Sequence, residues 1–205
     1  MLRIFTVERQ TLALLKQLQQ MPLLQTSRLV GGTALALQLG HRNSVDLDLF
    51  GEFQNSHIDF LDAFGDEGLT VNSLQNTKSI HVFEIEGVKV DIVNYPYEWL
   101  EEPLEDDGIK LSRLRDIAAM KLAAITNRGT KKDFIDMYFL LQHFSLNEML
   151  GFYMTKYNTN SIYNVIRSLV YFTDAENDPM PKMYIPVSWD EVKSLIKESV
   201  EKISV

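Results

Sequence analysis

Between Ser44 and Gly51 apolar and polar residues alternate, with Val45, Leu47 and Leu49 on one side and Asp46 and Asp48 on the other. A period of two belongs to a strand, and it predicts one over residues 45–50. Upstream, Leu12, Leu15 and Leu18 recur at helical spacing and predict a helix over 6–21, stopped by Pro22. "LVGGTALALQL" predicts a short strand, a Gly-Gly turn and a short helix, and residues 56–64 predict another helix. Three runs, "LTVNSLQ", "SIHVFEIE" and "VKVDIVNY", predict strands, the last two joined as a hairpin at Glu86-Gly87.

The pattern turns helical after Pro103. "SRLRDIAAMKLAAITN" predicts a helix that ends near Arg128-Gly129. Thr130, Ser145 and Ser188 each precede an acid by three positions (Asp133, Glu148, Glu191), which marks three capped helix starts. "SIYNVIRSLVYF" carries a further helical period, and residues 174–187, with three of the six prolines, predict a loop. The expected fold class is α+β. A mixed sheet flanked by helices fills residues 1–105, "EEPLEDDG" serves as a linker, and an all-helical C-terminal domain occupies 106–205.

Composition narrows the chemistry. With 45% apolar and 23% charged residues, the 205-residue chain buries a proper core. The absence of cysteine excludes disulfides, thiolate zinc sites and cysteine nucleophiles, and points to a reducing cytoplasm. The N-terminus lacks a signal-peptide pattern and no apolar run is long enough for a membrane span, so no membrane partner is expected. A net charge of −8 argues against a general nucleic-acid coat. From Lys110 to Asp136, however, seven basic residues meet three acidic ones. A basic stretch on an acidic protein suits a phosphate-bearing ligand held at one place, as well as an ordinary solvated helix face.

Asp46 and Asp48 on one face repel each other, and burial worsens the repulsion. A divalent cation resolves the conflict, and magnesium takes carboxylates together with substrate phosphates. In "GVKVDIVN", Asp91 alternates against Val90 and Ile92. It fits the exposed face of a hairpin, and it fits equally a third acid converging with the first two if the strands are neighbours. Three carboxylates suit two metal ions about 4 Å apart. Gly31 and Gly32 permit close approach to a ligand at a helix start, where free amides favour phosphate. Thr33 either donates its hydroxyl there or caps the helix. Walker and dinucleotide glycine patterns are both absent. Lys121 sits in the apolar stripe of Leu114, Ile117, Ala118 and Ile125, so it must either snorkel or meet an anion. Read that way, Lys121→Met should leave folding intact. Asp133 is the capping acid of Thr130, and Asp136 shares its face. His41 reads as a loop or surface residue, and His57, His81 and His143 show no metal-ligand spacing.

Gly-Gly-Thr, twelve residues, then Asp-Leu-Asp resembles the signature of the DNA polymerase β nucleotidyltransferase superfamily. The run "GGTALALQLGHRNSVDLDLF", followed by "VKVDI" and "MKLAAITNRGTKKDFIDMYFLL", is similar to the AbiEii/AbiGii toxin family of nucleotidyltransferases. The resemblance implies that Gly31, Gly32 and Thr33 bind a triphosphate and that Asp46 and Asp48 are metal ligands. It makes Asp91 the general base or a further ligand. Arg42 and Ser44 approach the nucleotide, and Lys121, Arg128, Asp133 and Asp136 face it across the cleft, with Lys121 on the triphosphate. Asp46, Asp48, Asp91 and Lys121 form the implied catalytic set. The implied cofactor is a pair of magnesium ions, with manganese as a substitute. The implied reaction moves a nucleoside monophosphate from a nucleoside triphosphate to an acceptor hydroxyl, with RNA such as the tRNA acceptor end as acceptor. The setting is a toxin–antitoxin or phage-defence system with a cognate antitoxin. Alternatives are a protein or small-molecule acceptor such as an antibiotic, or a non-catalytic nucleotide- or partner-binding module.

Overall fold

Residues 1–203 are described by a computed structural model. Seven strands share one sheet: β1 (Arg28–Leu29), β2 (Leu47–Gly51), β3 (Val71–Asn76), β4 (Ile80–Ile85), β5 (Val88–Asn94), β6 (Leu104–Asp106) and β7 (Ile109–Leu111). Their order is β3-β4-β5-β2-β1-β7-β6. β2 and β5 run parallel as central neighbours, while β4–β5 and β1–β2 are antiparallel. Alternation decides what each face carries. Leu47, Leu49, Val90 and Ile92 are fully buried on one face, which leaves Asp48 and Asp91 on the other.

Two helices precede the acidic strand, α1 (Arg9–Gln20) and α2 (Gly31–Leu39), and α3 (His57–Asp66) follows it. The helical part comprises α4 (Leu114–Asn127), α5 (Lys131–Leu140), α6 (Leu146–Tyr157), α7 (Tyr163–Leu169) and α8 (Trp189–Glu201). α4 is its hub, packing on α2, α5, α6 and α7. The three predicted capping boxes are present at α5, α6 and α8, and Ser56–Asp59 forms a fourth at α3. Among the described residues no helix is long and apolar enough to cross a membrane.

Three stretches differ from expectation. Gly31 and Gly32 form the first turn of α2 itself rather than a separate turn. The strand begins at Leu47, because Val45 is 44% exposed and the Asp46 carbonyl accepts the Thr33 hydroxyl. "EEPLEDDG" is no linker: it supplies β6 and the turn into β7, and β7 adds to the sheet parallel to β1. Asp107 and Gly108 both take positive φ, 52° and 76°, the backbone that an Asp-Gly hairpin turn requires. Residue 105 therefore lies within β6, the helices begin at Leu114, and one apolar core contains residues from Leu2 to Ile196.

A buried ion pair ties the segment after β5 to the helices. Asp116 accepts the Leu100 and Glu101 amides at 3.0 and 3.2 Å and the Lys156 ammonium at 2.6 Å, and both side chains are fully buried. Lys156 also donates to the Glu98 carbonyl at 3.0 Å and lies 4.5 Å from the Trp99 ring centroid. Lys156→Met removes one partner and leaves Asp116 charged and enclosed. Urea unfolding at neutral pH should show a loss of about 3 kcal/mol. A loss below about 1 kcal/mol would rank the pair with surface bridges.

Candidate active site

β2 and β5 place Asp48 and Asp91 directly opposite each other. Adjacent strands lie about 4.8 Å apart, so the two carboxylates are forced together. Gly31, with φ +67°, comes so close that a Cβ there would collide with the Asp48 carboxylate. Burial, then the Asp91 charge, pushes the Asp48 carboxyl up to about 6, against the pull of Lys121 and Lys89. Asp46 stands one step before the strand. Among the described residues no group of three acid or imidazole side chains is arranged to hold a metal ion; Asp48 and Asp91 face each other across the two strands, with Asp46 beside them. Asp91 is clasped by Lys89, which the sequence reading passed over.

The donor set fits a divalent cation. Two carboxylates share one face, like charge makes them poor neighbours without a counter-ion, and the missing side chain of Gly31 lets the Asp48 carboxylate lie close against the start of α2. Magnesium takes one or two carboxylates and completes its shell from water and phosphate.

Across from the acids stands a cationic wall organised by Asp136. Its carboxylate, fully buried, accepts two N–H groups of Arg42 at 2.7 and 2.8 Å, the Lys121 ammonium at 2.6 Å and His41 at 2.8 Å. Burial opposes that charge, but Arg42 and Lys121 outweigh it and hold Asp136 well below the usual carboxylate range. Lys121 also donates to Asp133 at 2.9 Å, and Asp133 accepts Arg128 at 3.2 Å and the Thr130 hydroxyl at 2.7 Å. Burial of Asp133 is likewise overridden, by Lys121 and then Arg128, which bring it down to about 2. Burial lowers the His41 pKa, so its neutral ring donates Nε2–H to Asp136.

Several expectations change here. His41 is not on the surface but wholly enclosed. Arg42 is committed to Asp136 and to the Asn43 carbonyl, although its flank lines the cleft. Ser44 is buried 2.8 Å from Thr33, and the Thr33 hydroxyl turns inward to the Asp46 carbonyl instead of capping α2. Lys121 meets anions, as one of its two readings required, but they belong to Asp133 and Asp136. Lys121→Met would take one partner from each of those carboxylates, so it should destabilise the fold instead of leaving it intact.

Two hollows adjoin at Asp48, Asp91, Lys121 and Arg128. One is a cleft that adds Lys132 and Lys182 to the basic wall and includes Lys89 on the sheet side. Lys182 arrives because the proline-rich loop pairs Met183 with Arg42, and its carbonyl accepts the Asn43 amide at 2.8 Å. No local signal could have placed it there. The other is a cavity of about 720 Å³, lined by Phe50, Val93, Tyr95, Tyr97, Tyr157 and Met120. One face of the sheet thus runs from charged to apolar along β2 and β5: Lys89, then Asp48 and Asp91, then Phe50 and Val93.

Comparisons with known proteins bear on the family and the fold. The family model described as nucleotidyl transferase AbiEii toxin, Type IV TA system, matches residues 13–202. The uncharacterized protein aq_aa25 of Aquifex aeolicus (strain VF5) is 34% identical over 180 residues, 85% of this chain and 86% of that one. Among solved structures, JHP933 from Helicobacter pylori is similar at TM-score 0.61 and 19% identity, covering 95% of this chain and 92% of its own. MenT4, a nucleotidyltransferase toxin from Mycobacterium tuberculosis H37Rv, is similar at TM-score 0.58 and 14% identity, covering 93% and 81%. These likenesses show the fold, an α+β nucleotidyltransferase architecture.

The strained acid pair has a measurable signature. Folded Asp48 keeps its proton up to about pH 6, whereas an unfolded aspartate loses it near pH 4. Between those values the folded state binds the extra proton, so its stability falls as pH rises, and the penalty is complete above about pH 6. In chelator, Asp48→Asn should therefore unfold later than wild type at pH 8, by up to about 3 kcal/mol before solvent screening reduces it. The difference should shrink as pH falls toward 4. A variant less stable than wild type at pH 8 would make Asp48 a structural acid.

Proposed function

Because the chain belongs to the AbiEii family of nucleotidyl transferase toxins, and is a nucleotidyltransferase, we propose that it transfers a nucleoside monophosphate from a nucleoside triphosphate to an acceptor hydroxyl of RNA, the tRNA acceptor end first among candidates. The observation that carries this reading is the facing of the Asp48–Asp91 pair by a wall of cations across one cleft. The acceptor oxygen bonds to the α-phosphorus, the bond to the β-phosphate oxygen breaks, and pyrophosphate leaves. Asp91 takes the proton of the incoming hydroxyl. Asp48 and Asp91, with Asp46 beside them, would hold magnesium or manganese, which supplies positive charge against the reacting phosphates.

The chain's own residues supply the positioning. The uncapped start of α2, at Gly31 and Gly32, leaves amides without intrahelical partners, which suits phosphate oxygens. Lys121 spends two of its three N–H donors on Asp133 and Asp136 and keeps one for the cleft. Arg128, 67% exposed at its side chain, and Lys132 complete the triphosphate site. The apolar cavity takes a base, with Tyr97 among the rings that line it. Membership of a toxin family supports a cognate antitoxin and a cytoplasmic setting. The net charge of −8 supports a second acceptor class, a protein or small-molecule hydroxyl.

Incubation with each α-labelled nucleoside triphosphate, magnesium, total RNA and cell extract distinguishes these. Label should enter RNA with release of pyrophosphate, and Asp48→Asn should slow it by at least about 100-fold, the scale of electrostatic contacts to a transferring group. Label in protein or a small molecule would move the acceptor to the second class. No metal-dependent pyrophosphate release with any triphosphate would overturn the enzymatic reading of the site.

A further inference from the structure

Lys89 and Asp91 are two residues apart on β5 and share the face that carries the acid pair. The Lys89 ammonium takes both oxygens of Asp91, at 2.6 and 2.8 Å. Glu84 is its cross-strand neighbour on β4, yet the ammonium is turned to Asp91. As a stabilising bridge the contact has little weight, since the lysine side chain is 46% exposed. As electrostatics it matters more: one positive charge stands beside two carboxylates that the sheet forces together, and it lines the cleft that holds Arg128, Lys132 and Lys182. A cation that takes the same lone pairs of Asp91 displaces this ammonium, and one bound beside it is repelled by it. A lysine on a flexible four-carbon stem is able to leave, provided another anion receives it.

Building on the metal-dependent reading above, we propose that Lys89 is a positioning residue, an internal counter-cation that occupies Asp91 until a triphosphate arrives and then turns to its phosphates. A metal ion alone has to unseat Lys89 or bind against its repulsion, and offers it no new partner. A metal–triphosphate complex unseats it and supplies phosphate oxygens in the same cleft. Metal and triphosphate therefore bind as coupled ligands, each strengthening the other.

The test is calorimetric titration of manganese into the full chain, without and with inorganic triphosphate, for wild type, Lys89→Met, Lys89→Arg and Asp91→Asn. Lys89→Met should bind manganese alone about tenfold more tightly than wild type, and the gain from adding triphosphate should shrink by a similar factor, within the usual range of coupling between sites. Lys89→Arg should behave as wild type, because a guanidinium clasps a carboxylate through two bonds. Manganese affinity in Lys89→Met equal to or weaker than wild type overturns the inference, while Asp91→Asn that loses manganese keeps the metal reading intact. If Asp91→Asn binds manganese as wild type does, both fall together.

Discussion

A buried carboxylate has to be answered by cations and donors, and the arrangement of this molecule follows from how Asp136 is answered. It sits on α5 with no exposure, and its partners come from elsewhere: His41 and Arg42 from the loop after α2, and Lys121 from α4. One negative charge therefore fastens the helical part to the loop that leads into the acidic strand. Further contacts hold that loop along its length. Thr33 donates to the Asp46 carbonyl, the Ser44 amide donates to the Thr6 carbonyl, and Met183 pairs with Arg42. The acids are thus presented by a segment braced at both ends, and Lys121 is held facing them by two carboxylates.

The same economy of charge explains why the cleft is polarised. Asp133 and Asp136 remain ionised because cations surround them, so the cations are held in place without being neutralised by mobile counter-ions. On the sheet side the balance runs the other way. Asp48 and Asp91 are adjacent by strand register, and burial makes Asp48 resist ionisation. Under the proposed function, a site with like charges pressed together on one wall and cations on the other suits a ligand that is itself a chain of anions bridged by cations. Such an arrangement lowers stability locally in return for binding, as functional sites commonly do.

Much of this was legible because it is local. Alternation placed Asp48 and Asp91 on strands, and their pairing follows from two runs of equal character in one sheet. Thr130, Ser145 and Ser188 announced their helices through an acid three residues on. Two failures were local as well. Asp107-Gly108 is a strong hairpin signal, but the acids and the proline around it read as a linker. Val45 fits the alternation and is nonetheless exposed, since the Asp46 carbonyl is drawn to Thr33 before the ladder starts. What stayed hidden is long-range. Nothing near His41 or Arg42 indicates a carboxylate about 95 positions away, and nothing in residues 174–187 shows that Lys182 returns to the cleft.

The central claim is that Asp136 organises the binding wall without touching the ligand. It is tested by Asp136→Asn, measured for stability and for calorimetric binding of inorganic triphosphate with magnesium on the same preparation. An asparagine keeps the shape but removes the charge that holds Arg42 and Lys121. The account predicts a stability loss of about 3 kcal/mol together with triphosphate binding weakened at least about tenfold, from the release of Lys121. A variant that is destabilised yet binds triphosphate with wild-type affinity would contradict it, and would reduce Asp136 to a support for the fold.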